Sequence, residues 1–399
     1  MNVISDTDAL ATFCDALSTA DYITVDTEFM RESTFWPILC LIQVAGPEDE
    51  AIIDPLADGI DLTPLYDLIA DESVLKVMHA AKQDIEIFHH EGGVTPVPLF
   101  DTQIAAMVAG FGDQVGYETL IAKLTKVRPD KGSRFTDWSQ RPLTDAQMDY
   151  ALADVTHLRP AYEKLRGRIE ENGRLAWVEE EMVKLADPAL YEVVPTEGWR
   201  RLKPKRNQPK YLAMLQAVAA WRDREAMARD LPRNRLMRDD VLAQIAARPP
   251  EDEHSLSRVR GIPKNFASGR LGQGLMAAIA EGQAMPADQA PTIPEPVELP
   301  PGAGALMDLL KVLLKFKCDT NQVAQKLIAT VPDLEAIAAD DNADVAALRG
   351  WRRDIFGAEA LRLKAGKIAL AAGFGKVRII EVEPANEDPA DQDSEEAAD

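Results

Sequence analysis

The sequence of 399 residues predicts an α/β domain built on a mixed sheet, followed by helical bundles and an acidic tail. Three observations carry this prediction. Short strand-like segments with brief connections open the chain and favour an antiparallel meander. From about residue 61, helix-like and strand-like segments alternate, which indicates a sheet flanked by helices on both faces. Beyond residue 207, apolar residues recur only at the spacing of amphipathic helices.

Apolar periodicity sets the predicted elements of the first domain, residues 1–165. The opening helix begins with an acidic, capping stretch, and the strands show the two-residue alternation of a pleated surface. In chain order we expect a helix at 5–17, strands at 22–29, 38–45 and 50–53, a helix at 61–70, a strand at 74–78, a helix at 80–91, a strand at 98–100, and helices at 101–110, 117–125 and 144–165.

Composition divides the remainder of the chain. The expected segments are a partly helical linker at 166–206, a helical domain at 207–284 with amphipathic stretches at 210–229 and 238–247, a linker at 285–301 held extended by six prolines, a second helical domain at 302–373, and an acidic, disordered tail at 380–399. A faint echo of residues 256–266 in residues 347–356 favours a duplicated bundle.

Charge is distributed unevenly along the chain. The net charge is −22, but residues 380–399 alone hold nine acids, and residues 200–238 hold twelve Lys and Arg against three acids. A basic patch in an otherwise acidic chain is typical of nucleic-acid binding, although a solvated helix face is the simpler explanation. The cations expected to contact RNA are Lys203, Lys205, Arg206 and Lys210.

Two classes of feature are disfavoured. The three cysteines form no C-x-x-C pair, which argues against a disulfide framework and against zinc. No apolar run is long enough to span a bilayer, and the first residues lack a basic or apolar leader. We therefore expect a cytoplasmic protein without a membrane partner, acting as a monomer.

Two acidic residues on the strand at 22–29 form the first candidate site. Asp26 and Glu28 are two residues apart, so their side chains lie on one face of the strand. Adjacent carboxylates repel each other unless a cation lies between them, and a hard divalent metal is the natural occupant. A solvated sheet edge or an ion pair would also produce this pattern.

Two later helices offer further ligands. Asp84 lies in the first turns of the helix at 80–91, where the helix N-terminus alone favours an acid. Tyr150 and Asp154 are four residues apart and share one helical face, as an incidental pair on an amphipathic helix would. Together with the strand pair, these acids could hold two Mg²⁺ or Mn²⁺ ions, the arrangement used to hydrolyse phosphodiesters.

These segments resemble a known family. Asp26-Thr-Glu28, His79-Ala-Ala-Lys-Gln-Asp84 and Tyr150-Ala-Leu-Ala-Asp154 are similar to the three motifs of the DEDDy 3′→5′ exonucleases. Residues 26–37 and 135–154 resemble the ribonuclease D family in particular. The helical domains resemble its HRDC module, with the second as a diverged copy. The resemblance implies a ribonuclease H-like fold and the release of 5′-nucleoside monophosphates from RNA 3′ ends.

The resemblance also implies a role for each residue. Asp26 would bridge both metal ions, and Glu28 and Asp154 would complete the site that activates water. Asp84 would serve the ion at the leaving group, and Tyr150 would position the nucleophile. The partner would be RNA, as tRNA precursors and other small structured RNAs, with the enzyme acting in tRNA 3′-end processing.

Residues near these motifs are candidates for holding RNA. Phe29, Met30 and Trp36 follow the first acidic pair and could stack on terminal bases, although core packing explains them equally well. Lys131 and Arg141 precede the third motif and could reach phosphate, with solvated loop charge as the alternative.

Two other functions fit the same motifs. A Werner-type DNA exonuclease shares them, and no residue reports directly on the 2′-hydroxyl. A non-catalytic RNA-binding scaffold is the other, although the intact set of five catalytic positions weighs against it. We also expect a chain truncated after about residue 206 to keep its chemistry while losing RNA affinity.

Overall fold

The computed structural model describes residues 3–382, apart from residues 131, 133–135, 264 and 295–296. The chain divides into two compact units. The first contains residues 1–102, 117–166 and 178–295, and the second contains residues 103–116, 167–177 and the chain from residue 296 onward. None of the helices in the described chain is long and apolar enough to cross a membrane.

A six-stranded mixed sheet lies in the first unit, with strand order β1-β4-β3-β2-β5-β6. The strands are β1 (Val3–Ile4), β2 (Tyr22–Met30), β3 (Ile38–Ala45), β4 (Glu50–Ile53), β5 (Leu75–Met78) and β6 (Leu99–Asp101). β2, β3 and β4 form the predicted antiparallel meander, whereas β5 pairs in parallel with β2 and β6 with β5. β1, which periodicity did not predict, adds a parallel edge beside β4.

Among the described residues up to 185, eight helices lie between or after the strands of the sheet. They are α1 (Thr7–Leu17), α2 (Thr63–Ala70), α3 (Lys82–Gly92), α4 (Thr102–Val108), α5 (Tyr117–Thr125), α6 (Asp145–Thr156), α7 (Leu158–Glu171) and α8 (Leu175–Leu185). α6 begins with a capping box between Thr144 and Gln147 and packs across β2, β3 and β4.

The single helix predicted at 144–165 is two helices, α6 and α7. Pro160 is the physical reason, because a proline ring clashes with the carbonyl four residues earlier, here that of Thr156. α6 therefore ends at Thr156, and α7 restarts at Leu158 with Pro160 in its first turn, where a missing N–H costs nothing.

The first unit also contains a helical bundle. Its helices are α9 (Pro209–Ala228), α10 (Arg233–Leu236), α11 (Asp239–Ala247), α12 (Glu253–Ser257) and α13 (Arg270–Ala284). The core is built on α9, whose Leu215 and Val218 are fully buried. Trp199, from the segment expected to be a linker, is also buried in this core and lies within a 3-10 segment, Pro195–Leu202. The core of the bundle therefore includes residues that precede residue 207 in the chain.

The second unit contains another bundle and ends in a hairpin. Its elements are α14 (Ala303–Asn321), α15 (Gln325–Ile328), α16 (Val331–Ala339), α17 (Gly350–Arg352), a π-helical turn (Arg353–Gly357), α18 (Ala358–Lys364), β7 (Ile368–Gly373) and β8 (Lys376–Glu381). Residues 368–373, expected to be helical, and residues 380–381, expected to be tail, instead pair as antiparallel strands.

The hairpin has a local cause. Phe374 and Gly375 join its strands, and both have positive φ angles, +54° and +73°. Two consecutive residues of this kind match the twist of a two-residue hairpin. Because the first is a phenylalanine rather than the usual asparagine or glycine, the turn was not recognised in the sequence. The rest of the expected acidic tail, residues 383–399, lies outside the described residues.

Candidate active site

Three carboxylates meet where α6 crosses β2. Asp26 and Glu28 project from β2, and Asp154 projects from α6. One carboxylate oxygen from each residue lies within 4.8 Å of the others. The hydroxyl of Thr24 donates to the carbonyl of Val155 at 2.9 Å and fixes this part of α6 against the strand. The predicted strand pair and the predicted helical acid therefore belong to one cluster.

The cluster is electrostatically costly without a cation. Burial raises the pKa of Asp26 well above its usual range, and the carboxylates of Asp84, Asp154 and Glu28 raise it further. Carboxylate oxygens are the ligands that Mg²⁺ and Mn²⁺ prefer, and a bound divalent ion would relieve the mutual repulsion. The residues present therefore fit a divalent metal centre.

Asp84 lies beside this cluster but outside the group of three. It is 6% exposed in the first turn of α3, and its carboxylate accepts a hydrogen bond from the hydroxyl of Thr27. Burial raises its pKa to about 7. Asp101 fixes the start of α3 by accepting from the N–H of Ala81 at 2.8 Å. Asp84 therefore lies near Asp26, and the hydrogen bond from Ala81 to Asp101 fixes the start of the helix that carries it.

Tyr150 and Tyr117 flank Asp154. Burial and the carboxylate of Asp154 raise the pKa of Tyr150, which also hydrogen-bonds that carboxylate. Tyr117, at the start of α5, donates to the backbone carbonyls of Ala153 and Asp154 at 2.9 Å and 2.8 Å. One phenol therefore contacts the carboxylate, while the other holds the backbone that carries it.

Sequence reasoning missed two residues of this site. Tyr117 had no signal beyond its place at a helix start. Gln43 of β3 lies directly opposite Asp26 in the strand register and is fully buried, and neither amide atom has a hydrogen-bond partner among the described residues. The signal for Gln43 was available, since it is the one amide side chain in the otherwise apolar run Ile38–Ala45.

Arg141 does not serve as the expected phosphate ligand. Its Nε and Nη2 form a double ion pair with Asp54, both at 2.7 Å. Its remaining N–H groups donate to the carbonyls of Trp138, Gln140 and Cys40. Because a guanidinium has five N–H groups and all five are used, none remains for RNA. Lys131, the other cation predicted here, lies outside the described residues.

The aromatic candidates differ from one another. Met30 packs against the cluster of apolar residues under α6, as core packing requires. Phe29 is half-buried where the β2–β3 register shifts. Trp36 stacks on His90, with ring centroids 3.8 Å apart, and lines a cavity of about 350 Å³ that also touches Tyr191. Trp36 therefore presents an aromatic surface beside open space.

The basic stretch carries fewer free charges than its composition indicates. Six of its twelve cations form ion pairs with acids: Arg200, Arg201, Arg222, Arg229, Arg233 and Arg238. Lys203, Lys205, Arg206 and Lys210 are exposed and pair with no described acid. The four cations predicted to contact RNA thus lie on the surface from the end of the 3-10 segment to the first turn of α9.

Fold and site together define a class, the metal-dependent 3′→5′ exonucleases. The family described as "3'-5' exonuclease" matches residues 1–170, and the HRDC domain family matches residues 212–279. A DEDD-type domain of this kind implies divalent metal ions, which the acidic group accommodates.

Full-length relatives narrow the class to one family. Ribonuclease D of Granulibacter bethesdensis is 51% identical over 381 residues, covering 95% of this chain and 96% of that protein. Ribonuclease D of Nitrobacter hamburgensis is 48% identical and covers 96% and 100%. The crystal structure of Escherichia coli RNase D matches with a TM-score of 0.78 at 32% identity, covering 92% of this chain and 99% of that one.

The chain belongs to the ribonuclease D family and is a 3′→5′ exoribonuclease. The resemblance stated from its three motifs is confirmed, and so is the class of reaction, phosphodiester hydrolysis on RNA. Because the full-length relatives are ribonucleases D, a Werner-type DNA exonuclease, which shares the motifs and the helical module, and a non-catalytic scaffold are not supported.

Proposed function

We propose that the chain removes 5′-nucleoside monophosphates from RNA 3′-hydroxyl ends with two divalent ions, Mg²⁺ or Mn²⁺, held by Asp26, Glu28, Asp84 and Asp154. The observation that carries this proposal is the group of three carboxylate oxygens within 4.8 Å of one another, with Asp84 beside it. When bound, the ions supply the positive charge that stabilises the scissile phosphate and the departing 3′-oxygen.

The tyrosines support this site in different ways. Tyr150, kept protonated by its raised pKa, donates its O–H to the carboxylate of Asp154, and its oxygen accepts a hydrogen bond that orients the attacking water. An ionised phenolate would be needed for a base. Tyr117 holds the backbone at Asp154 and so sets the direction of that carboxylate. Neither role requires the phenol to lose its proton.

The substrates we propose are tRNA precursors and other small structured RNAs. The support comes from a relative: the Escherichia coli structure is described as an exoribonuclease involved in structured RNA processing. The four free cations at 203–210 would bind the RNA backbone, and Trp36 would stack on a base near the 3′ end.

We also infer that the second unit contains a diverged copy of the HRDC bundle. In the first bundle, α9, α10 and α11 have 20, 4 and 9 residues. In the second, α14, α15 and α16 have 19, 4 and 9 residues. A short helical turn and a final helix follow in each bundle. This shared succession supports duplication, as does the echo between residues 256–266 and 347–356.

Replacing one acid tests the proposed centre. Asp26→Asn should lower mononucleotide release from 3′-hydroxyl RNA by more than about 100-fold, because even residues that only support a metal ligand cost 10- to 100-fold. The same variant should be more heat-stable than the parent without metal, since a repelling charge is gone, and should gain less stability from Mn²⁺.

The matched control is Asp21→Asn, an exposed acid just before β2. It should leave the rate and the Mn²⁺ stabilisation unchanged. Full activity in Asp26→Asn, or Mn²⁺ stabilisation equal to that of the parent, would disprove the metal centre.

A further inference from the structure

The loop that joins β2 to β3, residues 31–37, is held by a side chain from the helical bundle. The backbone N–H groups of Phe35 and Trp36 both donate to Oδ1 of Asp230, each at 3.0 Å. Asp230 lies almost two hundred residues away in the chain, just beyond the end of α9. Hydrogen bonds to an ionised acceptor are roughly twice as strong as neutral ones, so this is a firm attachment.

A second residue that contacts the loop, Arg233, is held by a buried acid in the core of the bundle. The guanidinium of Arg233 lies 4.2 Å from the centre of the Phe35 ring. Its Nε donates to Asp223 at 2.9 Å, and Asp223, which also pairs with Arg201, is fully buried. A buried carboxylate flanked by two guanidiniums resists movement. Arg233 and Asp230 therefore hold the loop from a fixed position.

The backbone conformation at Asp230 is one that favours glycine, so the presence of an aspartate there calls for a role of its side chain. Its φ is +47°, the left-handed conformation that ends many helices and favours glycine. The N–H of Leu231 donates to the carbonyl of Ala226 at 3.0 Å, which completes this type of helix ending. Helix geometry alone would favour glycine at this position. The aspartate in its place supplies the acceptor for the loop.

The loop also contacts α3, the helix that carries Asp84. Arg31 pairs with Glu86 of α3 through two hydrogen bonds of 2.6 Å, and Trp36 stacks on His90 at the end of α3. The first turn of α3 carries Asp84, and the loop leaves β2 two residues after Glu28. The loop thus lies between the bundle and two of the acid-bearing elements.

We propose that Asp230 is a positioning residue for the exonuclease reaction. From the bundle it fixes the β2–β3 loop, and with it Trp36 and the end of β2, in the arrangement that receives the RNA 3′ end. The inference rests on the roles proposed above for Trp36 and Glu28. It also replaces the expectation that a chain truncated after residue 206 keeps its chemistry, because that truncation removes both Asp230 and Arg233.

Two substitutions separate the side chain from the helix ending. Asp230→Gly keeps the favoured backbone conformation and removes the acceptor, so the full-length protein should keep its Tm within a few degrees while kcat on 3′-hydroxyl RNA falls about 10-fold or more. Asp230→Asn tolerates the same conformation and keeps an oxygen that accepts both N–H groups, so it should restore most of the rate.

Hydrogen exchange gives a readout that does not depend on activity. The amides of Phe35 and Trp36 should exchange at least about 10-fold faster in Asp230→Gly than in the parent or in Asp230→Asn, because local protection reports the lost hydrogen bonds. The control is Asp240→Asn, since Asp240 pairs with Arg238 on the exposed face of the same bundle. It should change neither kcat nor these amides.

The outcomes distinguish the inference about Asp230 from the proposed function on which it rests. If Asp230→Gly matches the parent in kcat and in amide exchange, or if Asp230→Asn is as impaired as the glycine variant, Asp230 has no positioning role. If Trp36→Ala and Glu28→Gln both leave mononucleotide release unchanged, the proposed function of the loop itself fails. Impairment in those two variants with a normal Asp230→Gly overturns only the inference about Asp230.

Discussion

At the scale of single residues, the protonation state of Tyr150 decides its role. Burial, the carboxylate of Asp154 and that of Glu28 all raise the pKa of Tyr150 above its usual range, which favours the neutral phenol. A neutral phenol donates a hydrogen bond but accepts no proton from water at a useful rate. This supports the orienting role proposed for Tyr150, with activation of the water left to the proposed metal centre.

Tyr150→Phe should lower kcat about 10- to 100-fold, the usual cost of losing a supporting hydrogen bond at a metal site, with KM nearly unchanged. The pH dependence of the rate between pH 6 and 9 should keep its shape, because the raised pKa of Tyr150 keeps the phenol from titrating in this range. Steady-state release of mononucleotides measures both. Tyr22→Phe is the control, since that phenol hydrogen-bonds Glu163 at the opposite end of β2. Loss of the acidic limb, in which the rate rises with pH as a base loses its proton, would instead show that Tyr150 is a catalytic base.

Asp84 makes the stability of the metal-free protein depend on pH. Burial raises its pKa to about 7 in the folded state, against roughly 3.9 in the unfolded chain. Between these values the folded state binds more protons, so the contribution of Asp84 to the free energy of unfolding falls as pH rises from about 4 to about 7. The carboxyl is therefore least favourable at neutral pH.

Asp84→Asn should accordingly raise Tm more at pH 7.5 than at pH 5 in the presence of a chelator. The asparagine oxygen still accepts from Thr27, so the local hydrogen bond survives. Scanning calorimetry at the two pH values gives the comparison. Saturating Mg²⁺ should reduce the stabilising effect, because the ion favours the ionised carboxylates. An equal shift at both pH values would contradict the raised pKa of Asp84.

Residue chemistry in the sequence predicted the acids but not their supports. Asp26, Glu28 and Asp154 are recognisable because their segments together resemble the motifs of one family, although each spacing alone has simpler explanations. Tyr117 gave no such signal, because its function depends on α5 lying against the turn at Asp154, a contact between distant elements. Arg141 was misjudged for the same reason, since its partner Asp54 is 87 residues away in the chain.

At the scale of elements, Arg141 holds the turn that leads into α6. It joins this turn to Asp54 beyond β4 and to the carbonyl of Cys40 in β3, and α6 then carries Tyr150 and Asp154 across the sheet. The planar guanidinium makes five hydrogen bonds that a lysine ammonium cannot reproduce. The contact is therefore part of the framework of the active site.

Arg141→Lys should lower the free energy of unfolding by about 1–3 kcal/mol, the range for losing charge-assisted hydrogen bonds in a partly buried site. The salt dependence of RNA binding should not change, because Arg141 contacts no phosphate. Urea unfolding and binding titrations give the two quantities. Arg128→Lys, in the exposed loop after α5, should affect neither. A shallower salt dependence in Arg141→Lys would return Arg141 to the RNA-binding surface.

Strands and helices were predicted correctly where the local sequence pattern determines the structure. The prediction was wrong where a single residue interrupts that pattern. β3 and β4 occupy the predicted ranges because buried, β-branched runs have few alternatives. The predicted helix at 144–165 continued a valid pattern through Pro160, whose ring divides it. The hairpin of β7 and β8 was missed because its turn places Phe374 at a positive φ.

At the scale of the whole molecule, the composition of residues 200–238 indicates more unpaired positive charge than the structure shows. Residues 200–238 sum to +9, but half of their cations neutralise acids, including Glu197 and Asp239 just outside that range. These ion pairs depend on how the 3-10 segment and helices α9 to α11 pack together. A sum of charges along the sequence does not contain this information. Of the six cations left, four lie in the short stretch 203–210, and the other two are Arg224 and Arg235.

Replacing Lys203, Lys205, Arg206 and Lys210 by Gln together should make RNA binding less dependent on salt. Each phosphate contact on a single strand contributes about 0.7 to the slope of log K against log[salt], so the slope should fall in magnitude by about 3. Cleavage of saturating RNA should change little, because these residues lie outside the acidic cluster. The matched control replaces Arg200, Arg229 and Arg238, whose charges are already paired, and should move the slope less. Equal slopes in the parent and the quadruple variant would show that RNA follows another surface.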